Sequence, residues 1–416
     1  MGEGTQCERA GIIFLKKQMN STLVWHAYVT EIPYKAPGIY YLGLFIFILK
    51  GGSALKDQDY MKVALQLAEQ GSGQTSPNPL VGAVIVKNGQ IIGMGAHLKA
   101  GEPHAEVHAV RMAGSQAEDS TVYVTLEPCS HHGKTPPCAD LLISSKVKRV
   151  VVAAEDPNPL VAGRGMEKLQ AAGIEVVSGV LKNEAEELNK VFFHYIQTKR
   201  PFVTLKWAGS LDGKTATVTG ESKWITGESA RKDVHKYREL HDAILAGVET
   251  VIKDDPSLTC RLENPKKQPV RIVLDTNLRT PETAALVNDG LSPVWIITGS
   301  EVSIKRIESF QKKNAVIIQM NTPAIEIDNL LHLLGERNIT SLFVEGGATV
   351  HGSFIKSGLF NQVVSYTAPM LIGGKEAPPA VAGAGFSRIN EAIRLRIKET
   401  EVIGDDLKIV CVKKEG

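Results

Sequence analysis

A histidine, a glutamate and two cysteines occur at spacings that could hold a catalytic metal ion. His104 and Glu106 are two residues apart, and Pro128-Cys129 and Cys138 follow further along the chain. One imidazole and two thiolates supply three ligands to a tetrahedral zinc ion, and a fourth position left open for water is typical of a catalytic site. Glu106 could move protons to and from that water. These residues therefore predict metal-assisted hydrolysis.

The order of these residues matches the His-x-Glu and Pro-Cys signature of zinc-dependent nucleobase deaminases. That signature ends in Cys-x-x-Cys, whereas eight residues separate Cys129 from Cys138. The longer loop costs about 1.2 kcal/mol of closure entropy, which is small beside the roughly 10–16 kcal/mol that structural zinc contributes. The inserted residues are rich in groups that bind phosphate or polar rings, so they can serve a substrate. A metal face built from His104 and His108, at i and i+4, is an alternative that the Pro-Cys segments disfavour.

The length and charge of the chain favour a multidomain enzyme that acts on a small molecule. Its 416 residues are enough for two or three domains. The 47 basic and 45 acidic side chains nearly balance, and no block of lysine and arginine marks a nucleic-acid surface. Five cysteines without a regular framework argue against a secreted disulfide scaffold and predict a cytoplasmic protein. Cys7, Cys260 and Cys411 are expected to be ordinary thiols.

The N-terminal region carries an apolar run that is too short to cross a membrane. As a helix, residues 39–49 would span about 16 Å, against roughly 30 Å of bilayer hydrocarbon. The region before the run is too long for a signal peptide and contains prolines. Lys50-Gly51-Gly52 could be encoded by a bacterial ribosome-binding sequence, with Leu55 as a start codon shortly after it. We therefore expect residues 1–54 to be translated upstream sequence or a disordered extension, and we expect no membrane partner.

Hydrophobic periodicity predicts alternating strands and helices in the first half of the chain, which implies a layered α/β domain. Asn88-Gly89 is a strong hairpin signal between two of the strands. Because residues i and i+2 of a helix point to different sides, His104 and Glu106 can share a metal site only at the first turn of a helix. Cys138 at another helix N-terminus would have its thiolate stabilised by the helix dipole. The predicted strands are 81–86, 91–96, 121–126, 147–153 and 174–177, and the predicted helices are 59–69, 104–112, 138–144, 164–171 and 182–197.

The second half repeats the α/β pattern without repeating the sequence. Glu345-Gly346-Gly347 lies between a predicted strand and a predicted helix, where glycines let the backbone approach a phosphate and the helix N-terminus favours an anion. The full Gly-x-Gly-x-x-Gly fingerprint is absent, so a tight turn explains these residues equally well when they are taken alone. The predicted strands are 202–207, 243–247, 271–275, 294–298, 316–319, 341–344 and 362–368, the predicted helices are 228–240, 301–312, 325–337 and 350–356, and residues 400–413 have a strand–turn–strand pattern.

Short segments in both halves share their sequence and order with one known family. In the first half these are PNPLVGAVIV, HAEVHA, TLEPCSHHGKTPPC and DPNPLVAGRG. In the second half they are LKWAGSLDGKTA, SKWIT, GVETVIKDDPSLTCR, VEGG and APMLIGG. From about residue 56 to residue 413 the chain thus resembles the bifunctional deaminase/reductase family of riboflavin biosynthesis, whose own pattern includes the eight-residue cysteine spacing. The resemblance implies a cytidine-deaminase-like α/β/α domain at residues 55–199, followed by a dihydrofolate-reductase-like α/β domain at residues 200–416.

For the first domain the resemblance implies a zinc-dependent deaminase. Its substrate would be 2,5-diamino-6-ribosylamino-4(3H)-pyrimidinone 5′-phosphate, which would lose its exocyclic amine to give the corresponding aminouracil. His104, Cys129 and Cys138 would hold one zinc ion. Glu106 would carry a proton from the attacking water to the leaving ammonia. The implied substrate contacts are Asn78, His131 and Lys134.

For the second domain the resemblance implies NADPH-dependent reduction of the ribosyl group to a ribityl chain. The C1′ carbon of the ring-opened imine would accept the hydride, and Lys206 and Asp254 are the candidates to polarise or protonate near it. Arg238 and Arg261 suit a phosphate, because a guanidinium binds phosphate through two parallel hydrogen bonds. The implied cofactor contacts are Ala208, Trp224, Thr250, Asp254, Thr276, Gly347, Ala348, Thr349, Val350, His351, Gly352 and Ser353. The implied substrate contacts are Ser222, Arg238, Leu258, Arg261 and Glu345.

Two alternative functions can be compared with this interpretation. A nucleic-acid base deaminase with an appended binding domain would require Cys-x-x-Cys and a basic surface, and the sequence has neither. A catalytically silent reductase domain that only supports assembly is disfavoured by Glu345-Gly346-Gly347 together with Asp254 and Arg261. The family also implies a homo-oligomer assembled through the reductase domain, with a phosphorylated pyrimidine and no nucleic acid as partner.

Overall fold

The computed structural model describes residues 12–19, 22–29, 55–130, 136–158, 162–310 and 313–414. The chain divides into two compact units, Met1–Lys56 and Asp57–Gly416. In the first unit, strand β1 (Ile12–Met19) pairs antiparallel with strand β2 (Thr22–Val29). The apolar run at residues 39–49 lies outside the described residues. No helix in the part of the chain that the structure describes has the length and apolar character to span a membrane.

The second unit begins with a sheet that helices cover on both faces. Its strands are β3 (Gly82–Lys87), β4 (Gln90–Ala96), β5 (Thr121–Leu126), β6 (Arg149–Ala154) and β7 (Glu175–Ser178), and its helices are α1 (Asp57–Glu69), α2 (Ala105–Ala113), α3 (Cys138–Ser144), α4 (Arg164–Ala171), α5 (Lys182–Leu188) and α6 (Lys190–Thr198). The strand order is β4-β3-β5-β6-β7, antiparallel from β4 to β5 and parallel from β5 to β7. Strands β3, β5 and β6 are buried along nearly their whole length, as expected for strands between two helical layers.

The predicted hairpin at Asn88-Gly89 is confirmed between β3 and β4. These two residues have φ angles of 52° and 77°, the left-handed values that a two-residue hairpin turn requires. The antiparallel register places Lys87 opposite Gln90 across the turn. Local turn chemistry therefore sets the pairing at the edge of this sheet.

Two glycines of β4 allow helix α2 to lie close against the sheet. A Cβ atom at Gly93 or Gly95 would lie 2.3 Å or 2.2 Å, respectively, from a backbone carbonyl oxygen of α2. Side chains do not approach backbone atoms this closely, so glycine is required at both positions. At Gly95 the oxygen belongs to Ala105, which lies between His104 and Glu106. The two glycines therefore set the position of the turn that carries the predicted metal site.

The single helix predicted at residues 182–197 is wrong, because the structure divides it into α5 and α6 at Asn189. The side chain of Asn189 donates to the carbonyl oxygen of Leu80 and accepts from the backbone N–H of Leu80, both at 2.8 Å. Asn189 has φ −101° and ψ 17°, outside helical geometry. Helix periodicity could not reveal this break, since its cause lies 109 residues away along the chain.

The remainder of the unit is built on a second, larger sheet. Its strands are β8 (Phe202–Ser210), β9 (Ala243–Gly247), β10 (Val270–Leu274), β11 (Val294–Thr298), β12 (Ala315–Gln319), β13 (Ser341–Gly346), β14 (Gln362–Ala368), β15 (Leu395–Ile403) and β16 (Asp406–Lys413), and its helices are α7 (Glu228–Leu240), α8 (Val248–Asp254), α9 (Ala285–Asn288), α10 (Ile304–Glu308), α11 (Ile327–Glu336) and α12 (Ala348–Ser357). The order is β12-β11-β10-β9-β13-β8-β14-β16-β15. The first seven strands in this order, from β12 through β14, run parallel to their neighbours. β16 pairs antiparallel with β14 and with β15. The seven predicted strands and the C-terminal strand–turn–strand pattern are confirmed.

The order of the strands creates a switch point between β9 and β13. From β9 the chain continues to β10 on one side, and from β13 it continues to β14 on the other side. In open parallel sheets, ligands bind beyond the carboxyl ends of the strands at such a point. β9 ends at Gly247 and β13 ends at Gly346. The topology therefore predicts a ligand-binding crevice where the sequence predicts a phosphate-binding turn.

Helix α10 is shorter than the helix predicted at residues 301–312. The Ser303 side chain accepts a hydrogen bond from the backbone N–H of Arg306 at 3.4 Å, so the helix begins after this cap. At the other end, the N–H of Phe310 donates to the carbonyl oxygen of Ile307 at 3.0 Å in a tighter turn. That turn places Phe310 in the core, where it is buried. Burial of one aromatic side chain thus ends a helix that periodicity alone would extend.

Replacing Gly95 with alanine should destabilise the protein, because the new methyl group would meet the backbone of α2. We expect a loss of about 3 kcal/mol in the free energy of unfolding, measured by chemical denaturation. Gly227→Ala is the matched control, since its Cβ would lie 3.4 Å from the nearest neighbour and its φ is −65°. An unfolding curve of Gly95→Ala that matches the parent protein would contradict the close approach of α2.

Candidate functional site

The three predicted metal ligands converge near the N-termini of two helices. His104 is the N-cap residue of α2, Cys138 is the first residue of α3, and Cys129 follows β5. The Nδ1 atom of His104 lies 3.7 Å from Sγ of Cys129 and 3.4 Å from Sγ of Cys138. All three ligand atoms lie within 4.8 Å of one another. Atoms bound at about 2.0–2.3 Å to one tetrahedral zinc ion have such separations, so the prediction of a single His/Cys/Cys cluster is confirmed.

The electrostatics of this cluster favour a cation. A hydrogen bond from the Cys138 side chain, followed by the contact with His104, lowers the pKa of Cys129 to about 4. The backbone N–H of Cys138 also donates to Sγ of Cys129, at 3.3 Å. The contact with Cys129 raises the pKa of Cys138, and a hydrogen bond with Cys129 raises the pKa of His104. Cys129 is therefore the first thiol to ionise, and metal binding would release the protons that the other two ligands hold.

Glu106 lies beside the cluster in the first turn of α2, as its spacing from His104 requires. The residue is 3% exposed, and burial raises the pKa of its carboxyl group to about 7. Its Oε2 atom has no hydrogen-bond partner among the described residues. A buried polar oxygen is costly unless a ligand or a water molecule reaches it. The unpaired oxygen and the His/Cys/Cys donors together fit a zinc ion that keeps one position for water.

His97 connects the predicted substrate residue Asn78 to the metal cluster, and sequence reasoning missed it. The Nδ1 atom of His97 lies 3.2 Å from the carbonyl oxygen of Pro103, and its Nε2 atom lies 3.1 Å from the side-chain nitrogen of Asn78. Nδ1–H therefore donates to Pro103, which leaves Nε2 to accept from Asn78. The rings of His97 and His104 pack edge to face at 5.4 Å. A lone histidine after a strand has no diagnostic spacing, so the sequence offered no signal for it.

Glu127 was also missed, although its position directly before Pro128-Cys129 was an available signal. The residue is buried, and its carboxylate accepts hydrogen bonds from the residues before α4 and from the first turn of α4. The donors are the backbone N–H groups of Asp156 at 3.3 Å, Gly163 at 3.0 Å, Gly165 at 2.8 Å and Met166 at 3.4 Å. A Cβ atom at Gly165 would lie 2.0 Å from the carbonyl oxygen of Pro128, so the start of α4 packs directly on the metal-binding turn. Glu127 therefore joins the metal-binding turn to the start of α4.

The other two substrate contacts predicted for this half cannot be placed. His131 and Lys134 belong to segment 131–135, which lies outside the described residues. The described chain stops at Ser130, directly after Cys129, and resumes at Pro136, shortly before Cys138. Their roles stay predictions.

The second predicted site lies at the carboxyl ends of the central strands of the larger sheet. Arg238 donates from Nε and Nη2 to the two carboxylate oxygens of Glu345, at 2.6 Å and 2.9 Å. Burial would raise the pKa of Glu345, but the guanidinium of Arg238 outweighs burial and lowers that pKa to about 2. Burial lowers the pKa of Lys206, on β8, although the charge of Glu345 opposes this shift. Lys206 therefore loses its proton more readily than a surface lysine, which suits a proton donor.

Three donors of the Arg238 guanidinium bond within the chain. Besides its two bonds to Glu345, its Nη1 atom donates to the carbonyl oxygen of Thr259 at 2.8 Å. A guanidinium has five N–H donors, so these bonds leave one on each Nη atom, and the substrate contact predicted for Arg238 stays a prediction. Arg261 is exposed, and its backbone N–H donates to Nδ1 of His235 at 3.1 Å. Its side chain can therefore reach an incoming phosphate.

Two predicted cofactor residues meet at the switch point. Gly346 and Gly347 have φ angles of 48° and 70°, and Gly347 is the N-cap residue of α12. A Cβ atom at Gly347 would lie 3.3 Å from Oγ1 of Thr250, so the start of α8 borders the turn. Ala208 lies on β8, and Thr276 follows β10. The glycine turn is therefore formed, and phosphate binding by it stays a prediction.

Two residues predicted as cofactor contacts pack against another segment of the chain. His351 is buried, with its Nδ1 atom 3.0 Å from the carbonyl oxygen of Ala380 and its ring 5.6 Å from that of Trp207. A Cβ atom at Gly352 would lie 1.7 Å from the carbonyl oxygen of Ala382. The structure thus places the ring of His351 and the Cα of Gly352 against segment 380–382, and the contacts predicted between these residues and a cofactor stay predictions.

The remaining predicted residues differ in exposure. Trp224 is 65% exposed, and the guanidinium of Arg231 lies 4.4 Å from the centre of its ring. Asp254 is exposed at the end of α8, where a cofactor can reach it. Ser222 is half-buried, and Leu258 is buried with a φ of 48°. Contacts through Trp224 and Asp254 would therefore form at the surface of the crevice.

Models of known protein families match both halves of the chain. Residues 55–154 match the cytidine and deoxycytidylate deaminase zinc-binding region. Residues 201–409 match the RibD C-terminal domain. The first match contains the His/Cys/Cys cluster and Glu106, and the second contains Lys206, Arg238 and Glu345.

Curated relatives match nearly over their full length. The riboflavin biosynthesis protein RibD of Bacillus amyloliquefaciens is 52% identical over 360 residues, which cover 86% of this chain and 97% of that protein. The RibD protein of Escherichia coli (strain K12) is 42% identical over 374 residues, which cover 87% of this chain and 100% of that protein. Both relatives therefore span the two sheets described above.

Solved structures agree with these matches. Acinetobacter baumannii RibD (form 1) is 40% identical, covers 86% of this chain and 99% of its own, and has a TM-score of 0.78. A second solved structure is a diaminohydroxyphosphoribosylaminopyrimidine deaminase/5-amino-6-(5-phosphoribosylamino)uracil reductase from Thermotoga maritima. It is 37% identical, covers 86% of this chain and 99% of its own, and has a TM-score of 0.76. The two-sheet architecture, the zinc-ligand cluster and these relatives lead to one conclusion: the chain belongs to the RibD family of bifunctional riboflavin-biosynthesis enzymes, with a cytidine-deaminase domain followed by a reductase domain.

Proposed function

We propose that this enzyme deaminates 2,5-diamino-6-ribosylamino-4(3H)-pyrimidinone 5′-phosphate and then reduces the product, 5-amino-6-(5-phosphoribosylamino)uracil, with NADPH. The Thermotoga maritima relative is named for these two activities. The observation that carries the proposal is the buried Glu106 carboxylate beside His104, Cys129 and Cys138, with one oxygen that no described residue pairs. A hydrolytic deaminase needs such a proton carrier next to its metal ligands.

In the deaminase domain the three ligands would hold zinc, which when bound lowers the pKa of a water molecule towards neutrality. Glu106 accepts a proton at Oε2 from the water that attacks the ring carbon bearing the exocyclic amine. It then delivers that proton to the leaving ammonia. A carboxyl group with a pKa of about 7 can do both near neutral pH, because it holds and releases a proton at similar cost. Asn78, held by His97, would orient the ring.

In the reductase domain the crevice at the switch point would bind NADPH, which when bound supplies the hydride. The turn at Gly346-Gly347 and the N-terminus of α12 suit its phosphates, because backbone N–H groups point out of a helix start. The proposed contacts are Ala208, Trp224, Thr250, Asp254, Thr276 and the backbone of residues 347–353.

The proposed substrate site adjoins this crevice. Lys206 would protonate the nitrogen of the ring-opened imine while C1′ accepts the hydride, since burial makes its ammonium group a stronger acid than that of a surface lysine. Glu345, held by Arg238, would keep a negative charge beside Lys206 and so fix its position. Arg261 would bind the 5′-phosphate, and Ser222 and Leu258 would complete the site.

The proposal includes a cytoplasmic enzyme that forms a homo-oligomer through its reductase domain. Sparse cysteines without a disulfide framework support the cytoplasmic location. The outer strand β15 is exposed along most of its length, and such an edge can pair with another chain.

Glu106→Gln should keep the zinc ion and lose deamination, because the amide preserves shape but cannot carry the proton. We expect ammonia release to fall about 10²- to 10⁴-fold, with zinc content unchanged and with unchanged NADPH oxidation when the aminouracil is supplied directly. Zinc is measured by elemental analysis and ammonia by a coupled assay. Glu102→Gln, an exposed glutamate near the same helix, is the control. Undiminished ammonia release by Glu106→Gln would remove Glu106 as the proton carrier.

Cys138→Ser should lower the zinc content, because a hydroxyl group replaces a thiolate ligand. Metal analysis of the purified variant is expected to show well below one zinc per chain, with deamination lost in proportion. Cys411→Ser is the matched control, since Cys411 lies on β16 in the other domain. Equal zinc in Cys138→Ser and Cys411→Ser would contradict the ligand assignment.

Arg261→Ala should weaken reductase substrate binding alone. Loss of a charged hydrogen bond to phosphate is expected to raise the reductase KM about 10- to 100-fold, while deamination keeps its rate. Arg337→Ala, an exposed arginine after α11, is the control. A loss confined to deamination in Arg261→Ala would contradict the assignment of activities to the two domains. If the unmodified protein oxidised no NADPH, that result would favour a silent reductase domain.

A further inference from the structure

The loop that carries Asn78 is held by a residue outside the deaminase domain. Ser76 lies two residues before Asn78, and its hydroxyl group donates to Oδ2 of Asp242 at 2.7 Å. Asp242 lies between α7 and β9, in the reductase domain. We infer that Asp242 is a positioning residue for deamination, which holds segment 76–78 where the aminopyrimidine ring needs Asn78. The inference rests on the proposed function and adds to it a dependence of one domain on the other.

Asp242 is itself fixed by the reductase domain. Its side chain is 11% exposed, and Nζ of Lys267 donates to its Oδ1 at 2.8 Å. Thr340 donates to Oδ2 from its backbone N at 3.0 Å and from Oγ1 at 2.6 Å. Burial would raise the pKa of Asp242, but Lys267 outweighs burial and lowers it, so the carboxylate stays ionised as an acceptor. Asp242 therefore offers the deaminase loop an anchor that does not depend on the deaminase domain.

From Ser76 the path to the metal cluster is short. The side-chain nitrogen of Asn78 lies 3.1 Å from Nε2 of His97. Nδ1 of His97 lies 3.2 Å from the carbonyl oxygen of Pro103, the residue directly before His104. A shift of segment 76–78 would therefore change the position of Asn78 relative to the metal ligands.

Hydrogen bonds to distant residues hold this loop on both sides of Asn78. Beyond Asn78, Leu80 is bound through both its backbone N–H and its carbonyl oxygen to the side chain of Asn189, at 2.8 Å each. Beside the loop lies a cavity of about 260 Å³, whose lining includes Ser76, Asn78, Asn189 and Asp242. A segment that borders a cavity lacks dispersion contacts on that side. The polar anchors at Ser76 and Leu80 therefore limit where Asn78 can lie, together with the bond from its own backbone N–H to the carbonyl oxygen of Thr75 at 2.7 Å.

The test is Ser76→Ala in the full-length protein. This change removes the hydroxyl group that donates to Asp242 and lies 3.2 Å from Oγ1 of Thr340, and it leaves Lys267 and Thr340 bound to Asp242. We expect the deaminase KM to rise on the order of 3- to 10-fold, with a smaller change in kcat and with zinc content and reductase KM unchanged. Ser144→Ala is the matched control, because the Ser144 hydroxyl donates to a residue in its own helix, at the carbonyl oxygen of Leu141, over 2.9 Å. Ser144→Ala should keep the deaminase KM, the kcat and the zinc content of the unmodified protein.

A second variant, Asp242→Asn, makes the test a double-mutant cycle. If both residues act through one hydrogen bond, the double variant should show the deaminase KM of the more affected single variant, and the effects should not multiply. This readout separates a specific contact from general loosening of the fold, which would lower both activities.

The outcomes are distinct. An unchanged deaminase KM in Ser76→Ala, or independent effects of the two substitutions, would overturn the inference and leave the proposed function intact. Joint loss of zinc, deamination and reduction would show a general structural role and would overturn it as well. If the parent protein oxidises NADPH with the aminouracil but releases no ammonia from the aminopyrimidine, the proposed deaminase activity fails and the inference fails with it.

Discussion

Burial of one carboxyl group beside three metal ligands is the constraint on which the rest of this structure depends. Taking Glu106 out of water raises its pKa to about 7, the range in which a carboxyl group can both accept and return a proton. Burial also leaves Oε2 without a partner among the described residues, which is costly in a folded protein. The surroundings therefore have to hold this group in place. Helix α2 does so by meeting the sheet closely at Gly93 and Gly95.

The larger sheet has different roles at its two ends. At the amino ends of its strands, Asp242 and Thr340 contact Ser76 of the deaminase domain, and Gln362 accepts a hydrogen bond from Lys190 at 3.0 Å. At the carboxyl ends, the strands carry the Glu345 ion pair and the glycine turn of the candidate reductase site. The larger sheet thus contacts the deaminase domain at the amino ends of its strands. It forms the candidate reductase site at their carboxyl ends.

Sequence reasoning succeeded where function depends on residues that are close in the chain. The His/Cys/Cys set, Glu106 at a helix start, the Asn88-Gly89 hairpin and the glycine turn after β13 each have a local spacing that geometry enforces. The same reasoning predicted the strands of both sheets, because buried parallel strands are short apolar runs.

It failed where a side chain finds its partner far along the chain. Asn189 breaks a helix because of Leu80, 109 residues earlier, and Ser76 meets Asp242 across 166 residues. The ion pair of Arg238 with Glu345, 107 residues later, has no signal in the sequence around either residue. The residues next to His97 in the sequence carry no functional signal. Its role follows from its contacts with Asn78 at Nε2 and with Pro103 at Nδ1.

The most direct test of this account combines metal analysis with a coupled assay of the unmodified protein. Purified protein prepared with ample zinc is given the diaminopyrimidinone phosphate and NADPH, and ammonia release and NADPH oxidation are followed together. The account predicts one zinc ion per chain, immediate ammonia release, and an equal amount of NADPH oxidised after a lag. A folded, metal-free preparation that releases no ammonia would contradict it.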